Sequence, residues 1–285
     1  RGEDFVEHVF LASTHSYLLF FTNRGRVYWK KVHELPQGSP TTRGKAIVNL
    51  LSLDPGEKVS AFLPVREFAE GRFVLFATAR GIVKKTGLAE YSRPRPSGII
   101  AINLDSEDEL IAVRVTDGEQ QVALSTRNGM LVRFAESEVR PMGRAAGGVK
   151  GVNLDADDRV VALDVVRPEA MLLTVSANGY GKRSLVDEYR LVHRGAKGVL
   201  TMNCTEKTGP VVGVLQVDEQ VEDVMIVTSG GKLIRIPVAE IRVTGRNAQG
   251  VRLVNLAEEG DTVASVAPVV DAEGGDGEIR VDEAE

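Results

Sequence analysis

Lysine or arginine residues recur beside glycine in five short segments of this sequence, a pairing suited to holding phosphate groups. The segments, which we name the basic loops, are 43–45, 93–98, 144–150, 194–198 and 246–252. Glycine lets backbone N–H groups approach an anion closely, and a flanking cation neutralises the charge of that anion. Because the segments recur in order along the chain, the sequence predicts a row of sites for a phosphate polymer.

Further cations share one register in the stretches that precede the basic loops. Four residues after a recurrent glycine stand Lys85, Arg133, Arg183 and Arg235, and at the first occurrence Lys30 and Lys31 follow Trp29. With the loop cations, they form the set for which we predict phosphate contact: Lys30, Lys31, Arg43, Lys45, Lys85, Arg93, Arg95, Arg133, Arg144, Lys150, Arg183, Arg194, Lys197, Arg235, Arg246 and Arg252. One such loop alone would be ordinary solvated surface. Recurrence of the same sign in five equivalent positions favours a binding surface.

The formal net charge of −5 hides an uneven distribution of charge along the chain. Spans 23–50, 79–104, 127–154, 177–203 and 228–256 hold 26 basic against 7 acidic residues, a formal charge of +19. The remainder is acidic, and residues 271–285 alone carry seven acids and one arginine. The few aromatic residues are scattered, which gives little support for stacking on single-stranded bases. The pattern therefore favours contact with duplex phosphates without base readout.

The elements that position these cations repeat with a period near fifty residues. Glycines that each separate two short apolar runs recur at Gly25, Gly81, Gly129, Gly179 and Gly231. Asn-Gly, as at Asn128-Gly129, tolerates the positive φ angles of a two-residue hairpin, so each glycine predicts one hairpin. Asparagines recur with nearly the same spacings as these glycines, at Asn49, Asn103, Asn153, Asn203 and Asn255. Four short strands per unit with this period are typical of an all-β, propeller-like array.

One repeat domain accounts for residues 1–270, with a core that lies between successive units instead of at one centre. Residues 4–11 match the fourth strand of a unit, so we expect the first unit to be incomplete in this chain. Residues 271–285 are rich in acids and poor in apolar groups, which predicts a disordered acidic tail.

The residue types needed for catalysis or metal binding are few and dispersed. The four histidines, at positions 8, 15, 33 and 193, lack ligand spacing, and the single cysteine, Cys204, excludes an internal disulfide. We therefore predict no catalytic residue, no metal site and no cofactor on this chain. The sequence also lacks an apolar run of about 18 residues, so we expect no membrane span and a cytoplasmic protein.

Several irregular stretches carry a more specific resemblance. They are 23–28 (NRGRVY), 43–51 (RGKAIVNLL), 177–183 (ANGYGKR), 196–199 (AKGV) and 245–251 (GRNAQGV). At these positions the chain resembles the C-terminal domain of the bacterial DNA gyrase A protein, and the similarity covers essentially residues 1–270. The resemblance implies a six-bladed β-pinwheel, in which four-stranded blades exchange strands with their neighbours.

The same resemblance implies a function without catalysis on this chain. Duplex DNA would wrap around the basic rim, independently of its sequence, and present a second segment to the cleavage gate for ATP-dependent negative supercoiling. The active sites, with their ATP and magnesium, would belong to other parts of this type IIA topoisomerase. The implied partners are duplex DNA, the rest of the gyrase A protein and the gyrase B protein, in an A2B2 assembly at the nucleoid.

One departure from the family pattern keeps two alternatives open. The family's marker heptapeptide, Gln-Arg-Arg-Gly-Gly-Lys-Gly, is not in this chain, and by its place in the repeat it is expected just before Arg1. Its nearest relative here is RGAKG at 194–198. The first alternative is the C-terminal domain of topoisomerase IV, which would position DNA without tight wrapping. The second is a propeller used only for protein contacts, which would bind no DNA at low salt.

Overall fold

The computed structural model describes residues 13–37, 49–218, 221–256 and 260–269. Within them the chain forms short antiparallel sheets, as the repeated apolar runs predict. The chain divides into two compact units. Of these residues, the first unit takes 13–37, 49–118 and 139–149, and the second unit takes 119–138, 150–218, 221–256 and 260–269.

Three kinds of strand recur along the described residues. The hairpin strands are β1 (Tyr17–Thr22) with β2 (Arg26–Lys31), β4 (Phe73–Thr78) with β5 (Ile82–Gly87), β8 (Gln121–Thr126) with β9 (Met130–Ala135), β12 (Met171–Ser176) with β13 (Tyr180–Leu185), and β16 (Asp223–Thr228) with β17 (Leu233–Pro237). The long return strands are β3 (Val59–Val65), β7 (Leu110–Thr116), β11 (Val160–Val166), β15 (Val211–Val217) and β19 (Val263–Val269). The two-residue strands are β6 (Ile99–Ile100), β10 (Val149–Lys150), β14 (Val199–Leu200) and β18 (Val251–Arg252).

The hairpin turns of the first four repeats have three residues, which corrects the two-residue turn expected from the sequence. Between β8 and β9 the turn is 127–129, closed by the Gly129 N–H donating to the Thr126 carbonyl at 3.1 Å. Gly129 has a φ of +84°, and among the described residues only glycines have positive φ. A two-residue Asn-Gly turn needs both residues at positive φ. Here the glycine alone takes the left-handed conformation, and Asn128 does not.

Four of the sheets take a two-residue strand from the following repeat. The strand orders are β3-β1-β2-β6, β7-β4-β5-β10, β11-β8-β9-β14 and β15-β12-β13-β18. The fifth sheet has the order β17-β16-β19 within the described residues. The strand exchange implied by the family resemblance is therefore confirmed, and it connects each of the last four basic loops to the sheet before it.

The described residues form five sheets, so the expectation of six blades is wrong for this chain. That number came from the family resemblance. Each sheet is built on one hairpin, and the sequence holds five hairpin glycines. Residues 4–11, expected to complete a further blade, and the predicted tail 271–285 lie outside the described residues.

The hydrophobic core lies between successive sheets, as the repeat pattern predicts. In the first unit Phe21 of the first sheet meets Phe76 of the second edge to face, with ring centroids 5.5 Å apart, and Tyr91 packs against both. In the second unit Leu131 and Leu172 share a buried cluster between the third and fourth sheets. Burying one large apolar side chain stabilises a fold by about 1.5–3 kcal/mol. Within each unit, neighbouring repeats therefore stabilise one another.

Candidate nucleic-acid interface

The residues that lead into the last three basic loops lie beside the preceding repeat. Isolated parallel bridges join Lys85 to Pro141, Arg133 to Leu191 and Arg183 to Val243. From each bridge the chain follows the second hairpin strand back toward its first residues, where the two-residue strand pairs. The three loops therefore lie along the edge of the sheet before them in one geometry.

A glutamate of the preceding repeat fixes the backbone of each of these loops. The glutamates stand in the 3-10 turns Leu88–Tyr91, Glu136–Glu138 and Val186–Glu188. Glu90, Glu138 and Glu188 accept the backbone N–H of Arg144, Arg194 and Arg246 at 3.2, 3.1 and 2.8 Å, respectively. Hydrogen bonds to a carboxylate are stronger than neutral ones, so each loop arginine has a well-defined backbone position.

The guanidinium group of each of these arginines also donates a hydrogen bond to a backbone carbonyl. Nη1 of Arg144, Arg194 and Arg246 donates to the carbonyl of Ile100, Lys150 and Leu200 at 3.1, 3.0 and 2.9 Å, respectively. Each acceptor is the second residue of the preceding two-residue strand. The bond orients a guanidinium group that has further N–H donors. These half-buried arginines can therefore bind an anion without losing their anchor.

Seven of the predicted contact residues are exposed: Lys31, Arg93, Arg95, Lys150, Lys197, Arg235 and Arg252. The Lys197 ammonium lies 2.8 Å from the Asp155 carboxylate, and both side chains are more than half exposed. An exposed ion pair of this kind contributes about 0–1 kcal/mol, so a phosphate competes with Asp155 for the lysine. Arg235 is held more firmly, because its Nε donates at 2.6 Å to the Asp223 carboxylate, which is mostly buried.

Arg252 belongs to a cluster of cations around one aromatic ring. Its guanidinium carbon lies 5.3 Å from the centroid of Tyr180, and its Nη2 donates to the Tyr180 hydroxyl at 2.9 Å. The ammonium of Lys207, which the sequence pattern did not single out, lies 5.3 Å from the same centroid. The ring therefore holds two cations near the start of β13.

Burial argues against phosphate contact at two positions of the predicted set. Lys85 and Arg133 are only 3% and 7% exposed. Arg133 Nη1 donates to the carbonyl of Val186 at 3.0 Å, and Arg183 Nε donates to the carbonyl of Ile241 at 2.8 Å. The guanidinium groups of Arg133 and Arg183 therefore hold the turn of the following repeat, whereas the Lys85 ammonium lies 5.1 Å from the centroid of the Phe73 ring. Lys85 and Arg133 are therefore poorly placed to contact phosphate, whereas the half-buried Arg183 stays in the predicted set.

Three exposed arginines outside the predicted set stand just ahead of the loops. Arg140, Arg190 and Arg242 each follow a hairpin glycine by eleven residues. No hydrogen bond or ion pair holds their guanidinium groups within the described part of the chain, so these groups are free to meet phosphate. The constant spacing identifies them in the sequence, whereas a search for cations beside glycine passes over them. We name them the lead-in arginines.

A cleft of about 440 Å³ in the first unit gathers three guanidinium groups. Arg26, Arg95 and Arg144 line it together with 98–100 and Ala145. Clustered positive charge in a concave site raises the local concentration of anions. Like Lys207 and the lead-in arginines, Arg26 is a cation that the loop pattern did not single out.

The remaining predictions have a simpler outcome. Lys30 is half-buried at the end of β2, and Arg43 and Lys45 lie outside the described residues. Among the residues that are described, no group of three His, Cys, Asp or Glu side chains is placed to hold a metal ion. Within the same ranges, no helix has the length and apolar character that crossing a bilayer requires.

The repeats match a known family segment by segment. The family model "DNA gyrase C-terminal domain, beta-propeller" matches residues 16–66, 72–117, 120–167, 170–218 and 222–269, which is one segment for each sheet. The chain belongs to this family. The resemblance to the gyrase A C-terminal domain is thereby confirmed.

Individual gyrase A proteins are similar in sequence to this chain. The DNA gyrase A protein of Salmonella typhimurium is 50% identical over 96% of this chain, and that of Halalkalibacterium halodurans is 55% identical over 94%. The chain spans 31% and 32% of the lengths of these two relatives.

Two solved structures share the fold. The C-terminal domain of DNA topoisomerase IV superposes with a TM-score of 0.81 at 30% identity, covering 90% of this chain and 80% of that chain. A DNA gyrase A C-terminal domain gives a TM-score of 0.79 at 24% identity, covering 90% of this chain and 84% of that chain.

Proposed function

We propose that this chain binds duplex DNA along its basic loops and wraps it, as the C-terminal domain of a gyrase A protein. One observation carries the proposal, namely the identical architecture of the last three basic loops. In each, a glutamate anchors the backbone, a carbonyl orients the loop arginine, and a free lead-in arginine stands beside it. Such repetition suits the regularly spaced phosphates of a duplex.

The chemistry of the loops favours binding that is independent of base sequence. The cations are arginines and lysines on loops and strand ends, which suit phosphate contacts. Helices in the described residues are single 3-10 turns of three or four residues, too short to read a major groove. Phosphate contacts position a duplex without reading its bases.

Wrapping adds an energetic requirement that repeated loops can meet. The persistence length of DNA is about 50 nm, so a tight bend costs several kcal/mol and must be offset by contacts distributed along the arc. One cationic cluster per repeat supplies that distribution, as inserted arginines do around the histone octamer. In the whole enzyme, with the gyrase B protein and the rest of the gyrase A protein, the bent segment would be presented for ATP-dependent negative supercoiling.

The test is to ligate nicked DNA circles in the presence of the protein and to measure the linking-number change per bound molecule. We expect a shift of one consistent sign. We also expect affinity for a linear duplex to fall roughly 10³–10⁵-fold between 50 and 200 mM salt, for about six to ten phosphate contacts. Binding without a linking-number shift would instead support the positioning role of the topoisomerase IV type. Absence of DNA binding at low salt would support a propeller for protein contacts.

A further inference from the structure

Two lysines are buried beneath the basic loops, where a charge is costly to place. Lys84 on β5 and Lys182 on β13 are both 0% exposed, and each stands three residues after a hairpin glycine. Burial lowers the pKa of each ammonium group from 10.5 to about 8. A buried charge persists only when hydrogen bonds compensate for its lost hydration, so the partners of these two groups indicate their role.

The ammonium group of Lys84 reaches the basic loop of the next repeat. It donates to the carbonyl of Arg144 at 2.5 Å and to the carbonyl of Ala101 at 2.6 Å. It also lies 5.3 Å from the centroid of the Phe76 ring. Arg144 is the loop arginine whose N–H and Nη1 are already fixed. Lys84 binds the third polar group of Arg144, which is its backbone carbonyl oxygen.

Lys182 makes the equivalent contact two repeats later. Its ammonium group donates to the carbonyls of Gly245 and Arg246 at 3.1 and 2.9 Å, and to the Ser184 hydroxyl at 2.7 Å. Three acceptors match the three donors of an ammonium group. Arg246 occupies the same place in its loop as Arg144, so both lysines hold the carbonyl of a loop arginine.

We propose that Lys84 and Lys182 are positioning residues that hold the next basic loop in its DNA-binding form. The proposal rests on the DNA binding proposed above. Each lysine completes a three-point attachment of a loop arginine and places a positive charge directly below the loop. Loss of the ammonium group leaves the loop carbonyl without its donor. The loop is then free to turn its arginine away from the phosphate path.

Charged neighbours connect the two lysines to bound DNA. Glu90 raises the pKa of Lys84 and Arg144 lowers it, beside the larger effect of burial. Tyr91, which packs nearby, has a pKa raised by burial and stays neutral in the same range. A phosphate on Arg144 would offset the charge of that arginine and so favour the protonated lysine. DNA binding above pH 8 is therefore expected to take up protons.

The surroundings of Lys182 follow the same pattern. Glu188 raises the pKa of Lys182 and Arg246 lowers it, again beside the larger effect of burial. Burial raises the pKa of Tyr189, which remains neutral. The third repeat supplies a natural control, because Val132 stands three residues after its hairpin glycine and is fully buried. The fold therefore accommodates an apolar side chain at this position.

The test compares two double variants that each lose two positive charges. Lys84→Met with Lys182→Met removes both buried ammonium groups but keeps long apolar side chains. The matched control, Lys58→Met with Lys232→Met, removes two exposed lysines beside the acidic turns and hairpin turns. At pH 7 we expect the first variant to lose most of the linking-number shift and to bind duplex DNA roughly tenfold more weakly, the equivalent of one hydrogen bond to a charged group. The control should keep the shift.

The pH dependence separates a positioning role from a merely structural one. Between pH 8 and 10.5 the unfolded chain binds more protons at these lysines than the folded chain, so their contribution to the free energy of unfolding rises with pH. Over pH 7–9.5 the affinity of the wild type for DNA should fall more steeply than that of the Met variant. A merely structural lysine would change stability and leave the two affinity profiles parallel.

Each outcome decides between the two proposals. Parallel pH profiles, or an unchanged linking-number shift in a folded Met variant, would overturn the positioning role. If the Met variant unfolds, the wild-type pH profile is compared with that of each single variant, and equal slopes would overturn it. A wild type that gives no linking-number shift at pH 7 would instead refute the proposed wrapping itself.

Discussion

Replacing the three lead-in arginines with alanine should weaken DNA binding more than any other neutralisation of equal charge. Arg140, Arg190 and Arg242 are exposed and their guanidinium groups make no bond within the described residues, so their removal leaves the fold intact. The loop arginines are poorer targets. Substituting Arg194, for example, also breaks its bonds to the carbonyls of Glu138 and Lys150.

The magnitude follows from counterion release. Each phosphate contact contributes about 0.9 to the slope of log affinity against log salt concentration. Three lost contacts should therefore reduce the slope by about 2.7, and at about 0.1 M salt each contact corresponds to roughly eightfold in affinity. We expect the triple variant to bind roughly 500-fold more weakly at that salt concentration.

The assay is a fluorescence titration of a linear duplex at several salt concentrations between about 50 and 200 mM, the range over which this effect is large. The matched control replaces Arg24, Arg80 and Arg159, which lie at the hairpin and acidic turns. Arg80 is paired with Glu107 at 2.5 Å, so this end of the strands is locally neutralised. An unchanged slope in the lead-in variant would refute the reasoning. Equal losses in both variants would show that bulk charge, and not a path of loops, binds the DNA.

Two further predictions concern the tail and the loop backbone. Truncation after Val270 should tighten DNA binding modestly at low salt, because seven carboxylates tethered nearby compete for cations over a screening length of about 8–10 Å; an unchanged affinity would leave the acidic segment a solubilising role only. Gly198→Ala should lower the free energy of unfolding in urea by at least about 1–3 kcal/mol, because Gly198 has a φ of +82° and an added Cβ would lie 2.2 Å from the Leu131 carbonyl oxygen. Gly143→Ala, where no atom lies within 4 Å of the added Cβ, should be close to neutral.

The repeat architecture could be predicted from the sequence because backbone requirements mark it. A hairpin turn that takes a positive φ favours glycine at that position. The five hairpin glycines, from Gly25 to Gly231, all have positive φ and so mark the five turns in the sequence. The turn length was harder to predict. A glycine satisfies a two-residue and a three-residue turn equally well, and the neighbouring Asn128 is compatible with both.

The contact set could be predicted only in part, because burial of a cation is a tertiary property. Charged side chains are normally exposed, yet β5 is buried at four consecutive positions that include Lys84 and Lys85. Lys84 reaches the basic loop of the next repeat and Lys85 lies over the Phe73 ring of its own sheet, so alternation between inside and outside fails there. Whether an arginine is free depends likewise on which carbonyl or carboxylate faces it. Arg133 and Arg190 differ in that respect and not in residue type.

The exchange of two-residue strands delays the completion of each such sheet while the chain is being synthesised. In the first four repeats the second hairpin strand pairs with a two-residue strand that lies roughly 70 residues further along. At about 5–20 residues per second, that partner is made roughly 4–14 s later. During this interval the strand is an open edge, available for wrong pairing. The basic loop and the two-residue strand are continuous in sequence. When the two-residue strand pairs with the earlier hairpin, the basic loop is therefore positioned at the same time. We therefore expect assembly to accompany synthesis, and each of the last four basic loops to take its final conformation when its two-residue strand pairs with the preceding sheet.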